Sequence, residues 1–318
     1  MPSWHSALSA RLTHLGRPNG PGRDIAELRR RYDTLFEHFG PAPAQVSFEA
    51  GQVGPIKGEW FRPPNSASHR LILYLHGGGL VAGSPASHRP LIAGLCLAAR
   101  AAAFAPAYRL APEYPFPAGL RDAVDTYRHL VQHGIAAGGI VVAGDEAGGG
   151  LAFSLLHAIR NAGLPMPAAC AAMSPWTDLS LSGWSMLQNA KSDAALSWEM
   201  LFVSARHYLQ KSTPADPYAS ALFAPFREFP PLMVHAGSLE ILRDDASRVG
   251  ECAAEAGIPV SVEIYDRMEH LFQTVPGLSE ARISLERLGH FIHARTRDAG
   301  TPAPLRPSGL PQGAKAGR

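Results

Sequence analysis

Cysteine is scarce in this chain of 318 residues: Cys96, Cys170 and Cys252 are odd in number, far apart and set mostly in apolar runs. Buried free thiols explain them better than a disulfide framework or a cysteine-based metal site. An excess of either charge is also missing. Lys and Arg number 29 against 27 Asp and Glu, a net charge of +2, so nothing electrostatic recommends nucleic acid or an anionic membrane as a partner. No apolar stretch approaches the ~20 residues of a membrane span. The first twelve residues, broken by Pro2 and His5, lack the apolar core of a secretory signal, and a cytoplasmic location is expected. No internal repeat is present. The glycines at 144–149 lack the Lys-Ser/Thr ending of a phosphate-binding loop, which argues against an NTPase. Neither a metal nor a cofactor is expected.

What is present is a globular balance, 46% hydrophobic and 18% charged residues, enough apolar material for one large α/β domain with a buried sheet. Residues 24–39 place Ile25, Leu28, Tyr32, Leu35, Phe36 and Phe39 at helical spacing. Strands are expected at 45–50 and 56–61, then in the short apolar runs 71–75, 103–107, 140–143, 168–173, 232–235 and 260–265, each too short for a helix. Helices are expected over 118–133, 147–162, 244–256 and 279–297, two of them stopped by Gly163 and Gly257 with Pro165 and Pro259 beyond. Such alternation implies a doubly wound sheet with its ligand site at the carboxyl ends of the strands. An insertion at 178–218, rich in Trp and Met and with a helix starting near Ser197, interrupts it. The last twenty residues are Gly-, Pro- and Ala-rich without periodicity and are expected to be disordered.

Three stretches carry chemistry. His76-Gly77-Gly78-Gly79 follows a strand, and its glycines let backbone N–H groups face a substrate closely, although a plain tight turn fits it equally well. Gly144-Asp145-Glu146-Ala147-Gly148-Gly149 lies between a strand and a helix, the setting of a nucleophile elbow. The proline-dense run from Tyr108 to Ala118 is a rigid crossing.

Together these stretches resemble the hormone-sensitive-lipase family of α/β-hydrolases, whose HGGG loop, YRLAPE crossing and GDSAGG elbow occur in the same order with similar separations. The resemblance runs from about Leu71 to Phe291 and includes the Ser174–Leu179 segment. It implies an α/β-hydrolase fold, a mostly parallel eight-stranded sheet flanked by helices. A single domain would span 1–298, capped by about 1–42 and 178–218, with the tail at 299–318. It places Glu146 where the family has its serine nucleophile, Glu240 at the catalytic acid and His270 at the catalytic histidine. It makes Gly77, Gly78 and Ala147 the oxyanion-hole donors. Glu240 is also placed to cap the helix that starts near Arg243. Asp145, Asp178 and Asp244 read as turn-organising residues, while Asp193, Trp198 and Glu199 are expected to line or cover the pocket.

A glutamate at the elbow excludes the ordinary serine-esterase mechanism, because it has no hydroxyl proton to pass to histidine and its attack on an acyl carbon would produce a mixed anhydride. Three chemistries stay open. Glu146 attacks an sp³ carbon or another strained electrophile, as the elbow aspartate does in haloalkane dehalogenases and epoxide hydrolases, or works with His270 as acid and base in a lyase or isomerase. Alternatively, His270 and the oxyanion donors retain modest hydrolysis of activated esters. In the third, the pocket is a catalytically inactive ligand site, with the carboxylate occupying the donors itself. The aromatic and Met content of the insertion points to a small, largely apolar partner molecule, such as an ester, lactone or epoxide, and a homodimer is left open. If His270 lies between Glu146 and Glu240, its pKa is expected to rise.

Overall fold

The computed structural model describes residues 25–37 and 39–296. The expected tail at 299–318 and the first 24 residues of the expected cap lie outside the described residues. Helix α1 (Ile25–Glu37) is followed by an antiparallel hairpin, β1 (Ser47–Val53) and β2 (Ile56–Arg62). Then come β3 (Leu71–Leu75), α2 (Arg89–Ala99), β4 (Ala102–Pro106), α3 (Ala118–Gln132), β5 (Ile140–Asp145), α4 (Glu146–Asn161) and β6 (Ala169–Met173). The insertion contributes the short α5 (Ser185–Gln188) and α6 (Trp198–Leu209). The chain continues through β7 (Leu232–Gly237), α7 (Arg243–Glu255), β8 (Val260–Tyr265) and α8 (Ser279–Arg295). The eight strands form one sheet in the order β1-β2-β4-β3-β5-β6-β7-β8, parallel from β4 to β8.

Strands β3, β4, β5 and β6 are buried at every residue. Their unbroken apolar runs are what a sheet covered on both faces requires. One core contains Leu73, Leu75, Phe104, Val142 and Leu155, and the other contains Ile72, Tyr74, Val141, Leu95 and Ile292. Helix α2 is absent from the sequence expectations. Its segment RPLIAGLCLAA has no polar face: six of its eleven residues are buried, and Pro90, Gly94, Leu97 and Ala98 form a half-buried side without a charge; Gly289 of α8 comes so close that a Cβ there would collide with the backbone of Ala98. Helix α6 begins after Ser197, whose side chain accepts from the Met200 N–H at 3.2 Å, a standard N-cap.

Sequential order reverses between β3 and β5, which pair in parallel with Leu75 opposite Gly144. A cleft opens at the carboxyl ends of strands flanking such a switch point. That register sets the glycine loop at 76–79 beside the turn at 145–146. Among the described residues no helix is long and apolar enough to cross a membrane.

Candidate active site

The turn from β5 into α4 is sharp enough to put Glu146 in the left-handed region, at φ 46°. A non-glycine residue there carries strain that only a well-determined surrounding maintains. The surrounding is tight: a Cβ on Gly148 would overlap the carbonyls of Leu75 and His76, so α4 can approach β3 only with glycine at that position. Next to it, Asp145 accepts from the Tyr74 hydroxyl at 2.7 Å and from the Gly77 N–H at 3.1 Å, binding the elbow to the glycine loop.

The loop is supported from behind. His76 stacks on Tyr108 with ring centroids 4.3 Å apart, and the Tyr108 hydroxyl donates to the His76 carbonyl at 2.6 Å. Burial, then the neighbouring His88, drops the His76 pKa to about 3, so this ring is a neutral structural element. The proline-dense crossing is clamped at both ends: Arg109 pairs with Asp122 at 2.7 Å, and Glu113 pairs with Arg29 of α1 at 2.7 Å.

Glu146 is 2% exposed, and its Oε2 accepts from the N–H of Gly78 and from that of Gly79 at 2.9 Å. The Tyr32 hydroxyl of α1 donates to Oε1 at 3.3 Å. Burial raises the Glu146 pKa despite the opposing charge of His270 and the two amides. The expected donor set is corrected here. Gly77 spends its N–H on Asp145, and Gly79, which the sequence reading left out, faces the carboxylate together with Gly78. Ala147 is buried in the first turn of α4.

Glu240 and His270 meet. The Glu240 Oε2 lies 2.7 Å from the His270 Nδ1, and its Oε1 accepts from the Gly237 N–H and, at 3.0 Å, from the Ser174 hydroxyl. Glu240 is therefore not the helix cap: α7 starts after Leu242 without a side-chain cap. Burial disfavours the charged ring of His270. The hydrogen bond and charge of Glu240, followed by Asp193 and Glu146, outweigh it and push the pKa up to about 9. The direction agrees with the expectation of a histidine set among carboxylates.

The insertion holds the acid loop in place. Asn189 donates to the carbonyls of Ser238 and Glu240 at 3.0 and 2.8 Å, and Ser192 donates to that of Leu239 at 3.0 Å. The Asp193 Oδ2 accepts from the Ile241 N–H at 2.8 Å, while its Oδ1 accepts from Ala195 and Leu196. Asp178 and Asp244 organise turns as expected, Asp178 through Ser180, Ser182 and Arg248 and Asp244 through Ser185. Trp198 and Glu199 are exposed, Asp193 is buried, and none of the three lines the pocket. Trp198 instead stacks on Phe202 at 4.7 Å.

The cleft takes in about 590 Å³, its open mouth included. Tyr32, Phe36 and Phe39 form one wall and Leu196 and Phe272 another, with Gly78, Glu146 and His270 also lining it. Among the described residues no group of His, Cys, Asp and Glu is gathered to hold a metal ion.

A family model described as the alpha/beta hydrolase fold matches residues 72–274, from β3 past the histidine loop. The chain belongs to that α/β-hydrolase family. This α/β-hydrolase is 39% identical to an acetyl-hydrolase of Streptomyces hygroscopicus over 274 residues, covering 86% of this chain and 91% of that one. It is 34% identical to an esterase of Acinetobacter venetianus, covering 83% and 87%. Among solved structures, an esterase from the bacterial hormone-sensitive lipase (HSL) family superposes with a TM-score of 0.84 at 35% identity, covering 92% of this chain and 99% of the other. The HSL-homologue EstE7 from a metagenome library does so with a TM-score of 0.84 at 31% identity, covering 92% and 97%. These relatives place the α/β-hydrolase in the hormone-sensitive-lipase-like group.

Proposed function

We propose that this α/β-hydrolase hydrolyses a small, largely apolar electrophile by attack of Glu146 on a saturated carbon. An epoxide suits this chemistry best, followed by an ester or lactone opened at its alkyl carbon. One observation carries the reading: Glu146 is anchored through Oε2 by the Gly78 and Gly79 amides, leaving Oε1 with only the Tyr32 hydroxyl at 3.3 Å. A carboxylate held in this way attacks with its second oxygen. The ester it forms keeps its carbonyl oxygen on the two amides, which then stabilise the oxyanion when water adds.

The protons balance through His270. With a pKa of about 9, the ring is cationic at neutral pH. Oε1 of Glu146 bonds to the epoxide carbon, the carbon–oxygen bond of the ring breaks, and the leaving oxygen takes the His270 proton. Glu146 is now a neutral ester and no longer favours the imidazolium, so the neutral ring takes a proton from water. The resulting hydroxide attacks the Glu146 carbonyl carbon, and collapse of the tetrahedral adduct releases the diol. Glu146 and His270 return to carboxylate and imidazolium. Glu240 holds the ring by Nδ1 throughout.

The same observation favours a second reading. With both oxygens of Glu146 hydrogen-bonded, the amides are already occupied, which also suits a pocket that binds a small ligand without turning it over. A single turnover of phenyl glycidyl ether in ¹⁸O-water separates the two. The first reading expects unlabelled diol, with the label in the peptide carrying Glu146, and no turnover by Glu146→Gln. Labelled diol in that first turnover would exclude Glu146 as nucleophile. If no epoxide or ester turns over while Glu146→Ser hydrolyses 4-nitrophenyl acetate, the ligand-binding reading takes its place.

A further inference from the structure

The cleft contains a second carboxyl group for which the chemistry above has no use. Glu269, 2% exposed, directly precedes His270 and lines the same cavity as Glu146 and Phe272. Its Oε2 is fully buried and has no hydrogen-bond partner among the described residues. The other acids nearby are all engaged. Asp145 holds Tyr74 and Gly77 through Oδ1 and faces the His88 Nε2 at 3.3 Å with Oδ2, Glu146 holds two amides, Glu240 holds His270 and Ser174, and Asp193 holds three backbone N–H groups. A buried carboxyl without a donor is costly and calls for an explanation outside the protein's own hydrogen bonds.

We infer that Glu269 anchors the ligand, and that the cleft accepts a molecule with an apolar body and an alkylammonium group that meets this carboxylate. The inference rests on reading the cleft as the ligand site and does not depend on what Glu146 does there. Charge favours a cation. The carboxyls of Asp145, Glu146 and Glu269 line the cavity, with His270 as the opposing charge within it. The lining suits one as well, because it includes the aromatic residues Tyr32, Phe36, Phe39 and Phe272, a residue type that attracts ammonium groups. Burial, then the charge of Asp193, lifts the Glu269 pKa to about 7, and a bound cation would counter both effects. The signal was present in the sequence as an acid directly before the candidate histidine. Only the fold shows that its Oε2 is buried without a hydrogen-bond partner among the described residues.

The test is calorimetric and needs no turnover. Three probes of nearly equal shape, 4-phenylbutylamine, 4-phenylbutan-1-ol and pentylbenzene, are titrated into the full chain and into Glu269→Gln at pH 8. The amine is expected to bind the full chain at least about tenfold more tightly than either neutral probe, the scale of a hydrogen bond to a charged group. In Glu269→Gln that advantage is expected to vanish while the hydrocarbon is unaffected. In the unsubstituted protein, lowering the pH from 8 to 6 should weaken amine binding about tenfold, because a carboxyl with a pKa of about 7 protonates over that range while the amine stays charged. Asp145, Glu146 and His270 line the same cavity and Asp193 acts on Glu269 by its charge, so the hydrocarbon is followed in parallel as the control for their titration. Equal affinity for amine and alcohol, or an amine advantage that survives in Glu269→Gln, would overturn the inference. Loss of turnover without loss of this selectivity would count against the Glu146 chemistry alone.

Discussion

Replacing Glu240 by Gln keeps the shape of the side chain and removes its charge 2.7 Å from the His270 Nδ1. In the intact protein the ring is held at about 9, against an ordinary value of 6.5, with Glu240 the leading cause that raises it. A charge-assisted hydrogen bond contributes roughly 1.5–3 kcal/mol, and 1.36 kcal/mol moves a pKa by one. The His270 midpoint should therefore fall to roughly 7–8 in Glu240→Gln. In Glu146→Gln the fall should be smaller, since Glu146 comes after both Glu240 and Asp193 among the causes. The measurement is a titration of ¹³C-histidine resonances, with His270 assigned by its absence from His270→Gln. The second variant also bears on the proposed reaction. A ring with a pKa of about 9 is only about 1% neutral at pH 7. Removing the Glu146 charge, as ester formation does, must enlarge that fraction if the ring is to act as base. A His270 midpoint that stays near 9 in Glu240→Gln would refute the assignment of its cause, and one unmoved in Glu146→Gln would refute the proton cycle.

Other outcomes follow from the same geometry. His270 is protonated more readily when folded, so its contribution to stability is complete below pH 6.5 and is lost as pH rises through about 9. The whole contribution is about 3 kcal/mol, readable as a lower urea midpoint at pH 9.5 than at pH 6.5 and much reduced in His270→Gln. His76 and His235 behave oppositely: burial lowers them to about 3 and about 4, so the stability they contribute above pH 6.5 is lost as pH falls toward those values. Gly79→Ala should cost about 1–3 kcal/mol in denaturant unfolding, because residue 79 sits at φ 61° and a Cβ there would collide with the Tyr32 hydroxyl. Asp193→Ala leaves the N–H groups of Ala195, Leu196 and Ile241 without their acceptor and should destabilise by about 3 kcal/mol, with a lower His270 midpoint. Trp198→Ala, by contrast, should cost only about 0.5–1.5 kcal/mol, the loss of its stack on Phe202, and leave the His270 midpoint in place, since that side chain lines no part of the cleft.

Local patterns in the chain were enough to determine the central strands and their helices. Apolar runs of five or six residues bounded by Gly and Pro read as strands, and β3 and β8 have the expected bounds, although β8, at the sheet edge, is only half-buried where β3 is buried throughout. Glu146, Glu240 and His270 were picked out through the resemblance to the hormone-sensitive-lipase family, and each lies on a short turn or loop just after a strand, where sequence position and spatial position nearly coincide. Helix α2 was not legible, because its half-buried side carries Pro90, Gly94, Leu97 and Ala98 in place of charged residues, and no polar positions mark the helical period. Contacts made across long separations were hidden as well: Tyr32 reaching Glu146 over 114 positions, Asp193 holding Ile241 over 48, and Gly77 turned to Asp145 instead of to the cleft. A hydrogen bond between distant segments leaves no spacing in the sequence, since only the packing of the sheet and the insertion brings donor and acceptor together. The tertiary structure alone decided that the carboxylate of Glu146 rests on two backbone amides and that the Glu269 Oε2 is buried without a hydrogen-bond partner among the described residues.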